Sequence, residues 1–180
     1  MGDEWPHPEL DASEVLRVLG RHEVDYVLIG GLALALYGSN QLTFDIDLVP
    51  AAERSNLDRL ASAMRELRAK VIVYADPSEI HLSEPIWTAQ IMLDNPFLHL
   101  RTRAGDVDLL LKPTGLPGGY DQLVGSSVEI RLHGLVILLA GLDDIATSKR
   151  TTGRPKDLQA LGEIERLRGH SHRPDSGAPS

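Results

Sequence analysis

Apolar positions along the chain recur with two periods, and the switches between them lay out the elements. Val15, Leu16, Val18 and Leu19 repeat at helical spacing between Leu10 and Gly20. Asp11 and Glu14 give that helix an Asp-x-x-Glu start resembling a capping box, and Gly20 supplies a stop. Asp25-Tyr26-Val27-Leu28-Ile29 is β-prone and runs into the paired glycines Gly30-Gly31. Leu32 to Tyr37, rich in Leu and Ala, predicts a short helix closed by Gly38. Phe44 to Val49 then reads as a strand. Period 2 puts Asp45 and Asp47 on one of its faces and Phe44, Ile46 and Leu48 on the other.

Pro50 ends that strand, and Arg54 to Ala69 carries Leu57, Leu60, Ala61, Met64 and Leu67 at helical spacing. Lys70 to Tyr74 is a short apolar strand. Asp76 to Gln90 receives no element, because Pro77 and Pro85 break any long one. Phe97–Thr102 and Val107–Leu111, around Arg103-Ala104-Gly105, predict a β-hairpin. Val128–Leu132 and Leu135–Leu139, around His133-Gly134, predict a second. Pro113 to Gly119 is a loop, and Tyr120 to Val124 one helical turn. Asp143 to Thr152 and Lys156 to Arg168 are the last helices, with Pro155 suited to the first helical position of the second. Strands alternating with helices predict an α/β (α+β) fold, a mixed β-sheet flanked by helices with a small C-terminal helical segment at about 142–168.

Composition narrows this to one domain over residues 10–168, since 42% of the 180 residues are apolar. The polar ends, residues 1–9 and 169–180, read as unstructured tails, with Trp5 the one N-terminal residue able to dock. The longest apolar run, Leu135 to Ala140, is six residues, so no membrane span or membrane partner is expected. The N-terminal stretch has neither the basic start nor the apolar segment of a secretory signal. The absence of Cys removes disulfides, thiolate nucleophiles and zinc–thiolate sites, and fits a cytoplasmic protein. A net charge of −8 argues against a protein that coats nucleic acid, while leaving room for a local basic patch at one RNA end.

The candidate chemistry lies in three places. Gly30-Gly31, at a strand-to-helix turn, lets backbone N–H groups approach a phosphate, or serves only to turn the chain. Asp45 and Asp47 are hard oxygen ligands on one strand face, of the kind that hold Mg²⁺ against substrate phosphates. Asp is disfavoured in strands, so two within one run need a reason. Asp106-Val107-Asp108 repeats the spacing. Asp108 sits inside the apolar run, where an unpaired carboxylate is costly, and is the better metal ligand or proton acceptor; Asp106 is either turn chemistry or the third carboxylate in its place. Lys149, Arg150, Arg154 and Lys156 place four cations within eight residues, a local site for a triphosphate or an RNA terminus, or a solvated helix end. The seven His show no zinc-type spacing, and neither a P-loop nor a nucleophile elbow is present.

Taken together, these residues resemble the DNA-polymerase-β-like nucleotidyltransferase superfamily, and within it the AbiEii/MenT-type toxins. The likeness runs through Gly30-Gly31, Gly38-Ser39, Thr43-Phe44-Asp45-Ile46-Asp47-Leu48, Gly105 to Leu110 and Gly118-Gly119-Tyr120. It resumes at Leu142 to Ile145, Ser148-Lys149-Arg150 and Gly153 to Leu158, so that matches spread in order over residues 25–161. The resemblance implies the nucleotidyltransferase fold and a Mg²⁺-dependent transfer, with two ions expected and Mn²⁺ an alternative. Asp45, Asp47 and Asp108 would be the metal ligands. Gly30, Gly31, Ser39, Gln41 and Lys149 would lie at the nucleotide, and Asp157 would lie near it or anchor its helix. The implied partners are an NTP, the 3′ end of tRNA or another RNA, and a cognate antitoxin protein. One position departs from the pattern: Gln41 or Asn40 stands where the family usually carries a basic residue, and hydrogen bonds from a charged donor are roughly twice as strong as those from an amide. Two other readings stay open, transfer to a small molecule or protein hydroxyl, and a nucleotide- or partner-binding pseudoenzyme.

Overall fold

The computed structural model describes residues 8–76 and 79–171. Eight strands form one mixed sheet in the order β4-β3-β5-β6-β2-β1-β8-β7. They are β1 (Tyr26–Ile29), β2 (Asp45–Pro50), β3 (Lys70–Asp76), β4 (Glu79–Ser83), β5 (Phe97–Thr102), β6 (Gly105–Leu110), β7 (Val128–Leu132) and β8 (Leu135–Leu139). The helices are α1 (Ala12–Arg21), α2 (Gly30–Leu36), α3 (Arg54–Glu66), α4 (Ala89–Asp94), α5 (Gly119–Val124), α6 (Leu142–Thr152) and α7 (Pro155–Ser171). The expected mixed sheet with flanking helices is present.

Strand β1 is buried along its whole length, as a strand inside a sheet with both faces covered must be. It pairs antiparallel with β2 and parallel with β8, and β2 in turn pairs parallel with β6. Outward from there, β2, β6 and β5 alternate between core and open face. Ile46, Leu48, Val107, Leu109, Leu98 and Leu100 are buried and join Leu19, Leu57, Leu60, Met64 and Met92 in one hydrophobic cluster. The alternate positions of the same strands carry the charged residues, as period 2 requires.

A buried amide ties the start of the sheet to the helix that follows it. Asn56, 2% exposed, accepts the backbone N–H of Asp25 at 2.8 Å through its Oδ1. Its Nδ2 donates to the carbonyls of Asp25 and Ala51, each at 2.9 Å. One side chain thus satisfies three backbone groups where β1 begins and β2 ends, a role that apolar periodicity does not reveal.

Several boundaries differ from the sequence reading, each for a local reason. Helix α1 does not stop at Gly20 but runs to Arg21, because the reversal is made at Glu23, whose φ is +52°. Gly20 instead lets α1 approach β8, since a Cβ there would lie 2.8 Å from Leu135. Phe44 does not share the buried face of Ile46 and Leu48; it precedes β2 and is 72% exposed. The stretch from Asp76 to Gln90 holds β4, hairpinned to β3, and then the start of α4, which Thr88 caps by accepting the N–H of Ile91. Asp106 is not a turn residue: Thr102 pairs with Gly105, so Arg103-Ala104 make the whole turn and Asp106 is already in β6. Helix α7 continues to Ser171, past the Gly169 where a tail was expected. The calls on Trp5 and on residues 172–180 lie outside the described residues.

Asn56→Ala strands one backbone donor and two acceptors at a buried corner. The expected outcome is a loss of about 2–4 kcal/mol in urea unfolding, since each unsatisfied buried group costs about 1–3 kcal/mol.

Candidate active site

The pairing of β2, β6 and β5 sets two rows of charged side chains across the open face of the sheet. Asp45 is opposite Asp106 and Asp47 opposite Asp108 in the parallel β2–β6 pair. Asp106 is opposite Arg101 and Asp108 opposite His99 in the antiparallel β6–β5 pair. Registered partners point to the same face, so Asp45, Asp106 and Arg101 form one row and Asp47, Asp108 and His99 the next. The rows are completed differently. Arg101 clasps Asp106 through Nε at 3.1 Å and Nη2 at 3.2 Å, whereas a ring nitrogen of His99 lies 2.7 Å from Asp108 Oδ1.

Gly30 follows the last residue of β1, Ile29, which is itself paired with Asp47. It turns the chain into α2 with a φ of +75°, and a Cβ there would fall 1.9 Å from Asp47 Oδ2. Gly31 is equally confined, a Cβ meeting Thr43 Oγ1 at 2.6 Å. Thr43 donates its hydroxyl to the Asp45 carbonyl at 3.1 Å and lies 3.3 Å from the Asp45 carboxylate. Gly30 is therefore needed both for the backbone reversal and for the space the Asp47 carboxylate occupies, and Gly31 for the space Thr43 occupies.

A cleft of about 650 Å³ opens over the acids, with Gly31, Gln41, Asp45, Asp47 and Asp108 on its strand side and Lys149, Arg154 and Lys156 across from them. A second cavity of about 460 Å³ carries Gly30, Phe97, Lys112 and Ser148. The two share Asp47, His99, Asp108, Lys149 and Arg154, so Asp47 and Asp108 stand between two chambers. The cations come from the junction of α6 and α7. Gly153, at φ +68°, ends α6, and Pro155 starts α7. Asp157 is fully buried beneath the junction, 2.9 Å from Lys149 Nζ and 2.9 Å from Arg154 Nε. Asp157 lines neither chamber and serves as the anchor that fixes Lys149.

Ser39 is buried and lines neither chamber; its Oγ accepts the Gln41 N–H at 3.1 Å. The connector from α2 to β2 is held by α7, where Arg166 donates to the Gly38 carbonyl at 3.1 Å. Glu163, paired with Arg166, hydrogen-bonds Ser39 and the Asn40 backbone, and its carboxyl falls to about 2, first through Arg166 and then through those bonds. Sequence reasoning missed Glu163 and Arg166, and the signal for them was the acid–base spacing of three on a helix face. It missed His99 too, because the predicted hairpin, its turn two residues too long, sets His99 opposite Leu110, whereas the observed pairing of Thr102 with Gly105 sets it opposite Asp108.

With this geometry in hand, comparison with solved structures gives similarity over nearly the whole chain. The lincosamide antibiotic adenylyltransferase LnuA, solved with lincomycin bound, matches with a TM-score of 0.55 at 16% identity, over 87% of this chain and 95% of that one. The antibiotic-resistance factor ANT(2'')-Ia matches with a TM-score of 0.54 at 14% identity, over 89% and 88%. TM1012 of Thermotoga maritima, a candidate nucleotidyltransferase, matches with a TM-score of 0.50 at 16% identity, over 89% and 97%. The chain has the nucleotidyltransferase fold. No family model and no curated protein matches it in sequence.

In this nucleotidyltransferase fold the electrostatics of the acids follow from crowding. Burial, and then Asp45 and Asp108, push the Asp47 carboxyl up to about 7 against the pull of Lys149 and Lys156. Burial also raises Asp108, although His99 opposes it. Burial works against ionisation of Asp157, but the hydrogen bonds and charges of Lys149 and Arg154 prevail and hold it below the ordinary range. As they stand, no three acidic or imidazole side chains among the described residues converge closely enough to hold a metal ion, Asp108 being turned to His99. The donor set nevertheless fits a hard divalent cation: three carboxylates at neighbouring positions of one face, whose mutual repulsion such an ion relieves. No described helix is long and apolar enough to cross a membrane.

The raised Asp47 pKa has a thermodynamic sign. A carboxyl whose folded value lies near 7 against 3.8 unfolded stabilises the fold fully below about 3.8, and that share is lost as pH rises to about 7. In thermal melts without divalent cations, Asp47→Asn is therefore expected to gain on the wild type between those values and to run parallel above them.

Proposed function

We propose that this protein transfers a nucleoside monophosphate from an NTP to an acceptor hydroxyl and releases pyrophosphate. The observation that carries the reading is the registered block of Asp45, Asp47 and Asp108 facing Lys149 and Lys156 across one cleft. Asp45, Asp47 and Asp108 would hold Mg²⁺, as two ions or with Mn²⁺ in its place, and the bound metal would supply charge neutralisation at the phosphates and lower the cost of forming the attacking alkoxide.

The chain's own groups do the rest. Lys149, held by Asp157, presents its ammonium to the triphosphate with part of its side-chain freedom already lost. Lys156 has no ion-pair partner among the described residues and stays available to the same phosphates. Gly30 and Gly31 keep the turn clear of side chains where the phosphates approach, and Gln41 donates from the rim. The acceptor oxygen attacks the α-phosphorus in line, the bond to the pyrophosphate oxygen breaks, and the hydroxyl proton passes to Asp108.

The acceptor we assign is an RNA 3′-terminal hydroxyl, with tRNA the leading case, in a toxin of the AbiEii/MenT type restrained by an antitoxin. Its support is the resemblance carried by Thr43 to Leu48, Ser148 to Arg150 and Gly153 to Leu158. A second reading, a small apolar hydroxyl compound, is favoured by Leu42 and Phe44, 85% and 72% exposed on the cleft wall.

Incubation with labelled NTPs, Mg²⁺ and total RNA is expected to label a small RNA, and Asp45→Asn to reduce the label by at least about a hundredfold. Label on a lincosamide but not on RNA selects the second reading. Equal labelling by Asp45→Asn removes the proposed metal site.

A further inference from the structure

Beside the acids, the open face of the sheet carries aromatic rings that the transfer step does not use. Phe97, at the start of β5, is 51% exposed, and Tyr74, on β3, is 62% exposed. The ring of His99 stands edge-on between them, 4.3 Å from Phe97 at 88° and 6.1 Å from Tyr74 at 86°. The same ring is hydrogen-bonded to Asp108. Two exposed aromatic surfaces are thus held at fixed angles to a residue that touches the catalytic carboxylate. Tyr74 lines the larger chamber and Phe97 the smaller, and both chambers reach Asp108.

Burying these rings under protein would have been the less costly use of an aromatic side chain. A folded chain that leaves two of them more than half exposed on a sheet beside its reacting centre offers a stacking surface. Planar bases stack on such rings without regard to sequence, and exposed aromatics on a sheet are a recurrent device for holding unpaired nucleotides. Lys112 lines the same chamber as Phe97, is exposed, and has no ion-pair partner among the described residues, so it is placed to meet a backbone phosphate. The net charge of −8 sets the extent of the contact. A chain this acidic repels a long polyanion but admits one short end where a cation and two uncharged rings meet.

We infer that Phe97 and Tyr74, braced by His99, form a stacking platform for the last unpaired bases of a nucleic-acid acceptor and so deliver its terminal hydroxyl to Asp108. This rests on the reading of the cleft as a nucleotidyl-transfer site with an RNA acceptor and names the residues that select that acceptor. A paired end cannot use the platform, because its bases are already stacked. The selection is therefore for single-stranded ends.

Binding tests the platform apart from chemistry. Fluorescence anisotropy with a 5′-labelled single-stranded RNA of about a dozen nucleotides is expected to weaken about tenfold for Phe97→Ala and for Tyr74→Ala, as loss of one base–ring stack predicts. Phe97→Trp is expected to keep the affinity, and a blunt duplex of the same sequence to bind more weakly than the single strand. Both Ala variants are at exposed positions, and their thermal melts should match the wild type. Unchanged affinity in both, or no binding of the single strand by wild type, overturns the platform. Displacement of nothing but a small aromatic or lincosamide probe by these substitutions overturns the nucleic-acid assignment. Platform-dependent binding without RNA labelling faults the transfer reading alone. Labelling indifferent to both substitutions faults the platform alone.

Discussion

Carboxylates standing opposite one another in the parallel pairing of β2 with β6 are the constraint on which the rest depends. Like charges directly opposite on a sheet destabilise it, by a few tenths to about 1 kcal/mol per pair. The underside of the same strands offsets this many times over. Ile46, Leu48, Val107 and Leu109 are at most 1% exposed, and each such burial contributes about 1.5–3 kcal/mol. A one-residue slip would send these side chains to the open face and the acids into the core, so the apolar face fixes the register and the acids are carried with it. Repulsion survives locally as the raised carboxyls of Asp47 and Asp108.

Everything around the block either makes room for it or answers its charge. The turn at Gly30 and Gly31 yields the space that Asp47 and Thr43 fill. Arg101 pairs with Asp106, and Asp45, Asp47 and Asp108 are the set proposed to hold the metal. The α6–α7 junction brings Lys149 and Lys156 across the cleft, and buried Asp157 keeps that junction rigid. The same helix α7 reaches back through Glu163 and Arg166 to the connector that carries Gln41. A chain of local contacts thus joins the last helix to β2.

How much of this was legible follows from which signals are local. The two Asp-x-Asp strands, the Gly-Gly turn and both hairpins stand in short stretches of sequence, and the fold built on them was readable. Asp106 was misread because the length of its turn was misjudged by one or two residues, which moved it from strand to loop. Pro77 and Pro85 hid β4, since proline is tolerated at strand edges and turns that a pattern search treats as breaks. His99, Asn56 and Glu163 act through partners 9, 31 and over a hundred positions away, and no periodicity encodes those distances. Gln41 looked like the weakest part of the site. The structure gives its backbone a fixed place through Ser39 and α7, although not the missing charge.

The central claim is that the carboxylate block and the cations opposite form one site for a metal-bound triphosphate. Calorimetric titration of the wild type with each NTP, with and without Mg²⁺, tests it most directly when run beside Asp47→Asn and Lys156→Ala. The account predicts binding that requires Mg²⁺, disappears in Asp47→Asn and weakens about tenfold in Lys156→Ala. Binding of equal strength without Mg²⁺ and in Asp47→Asn would contradict it.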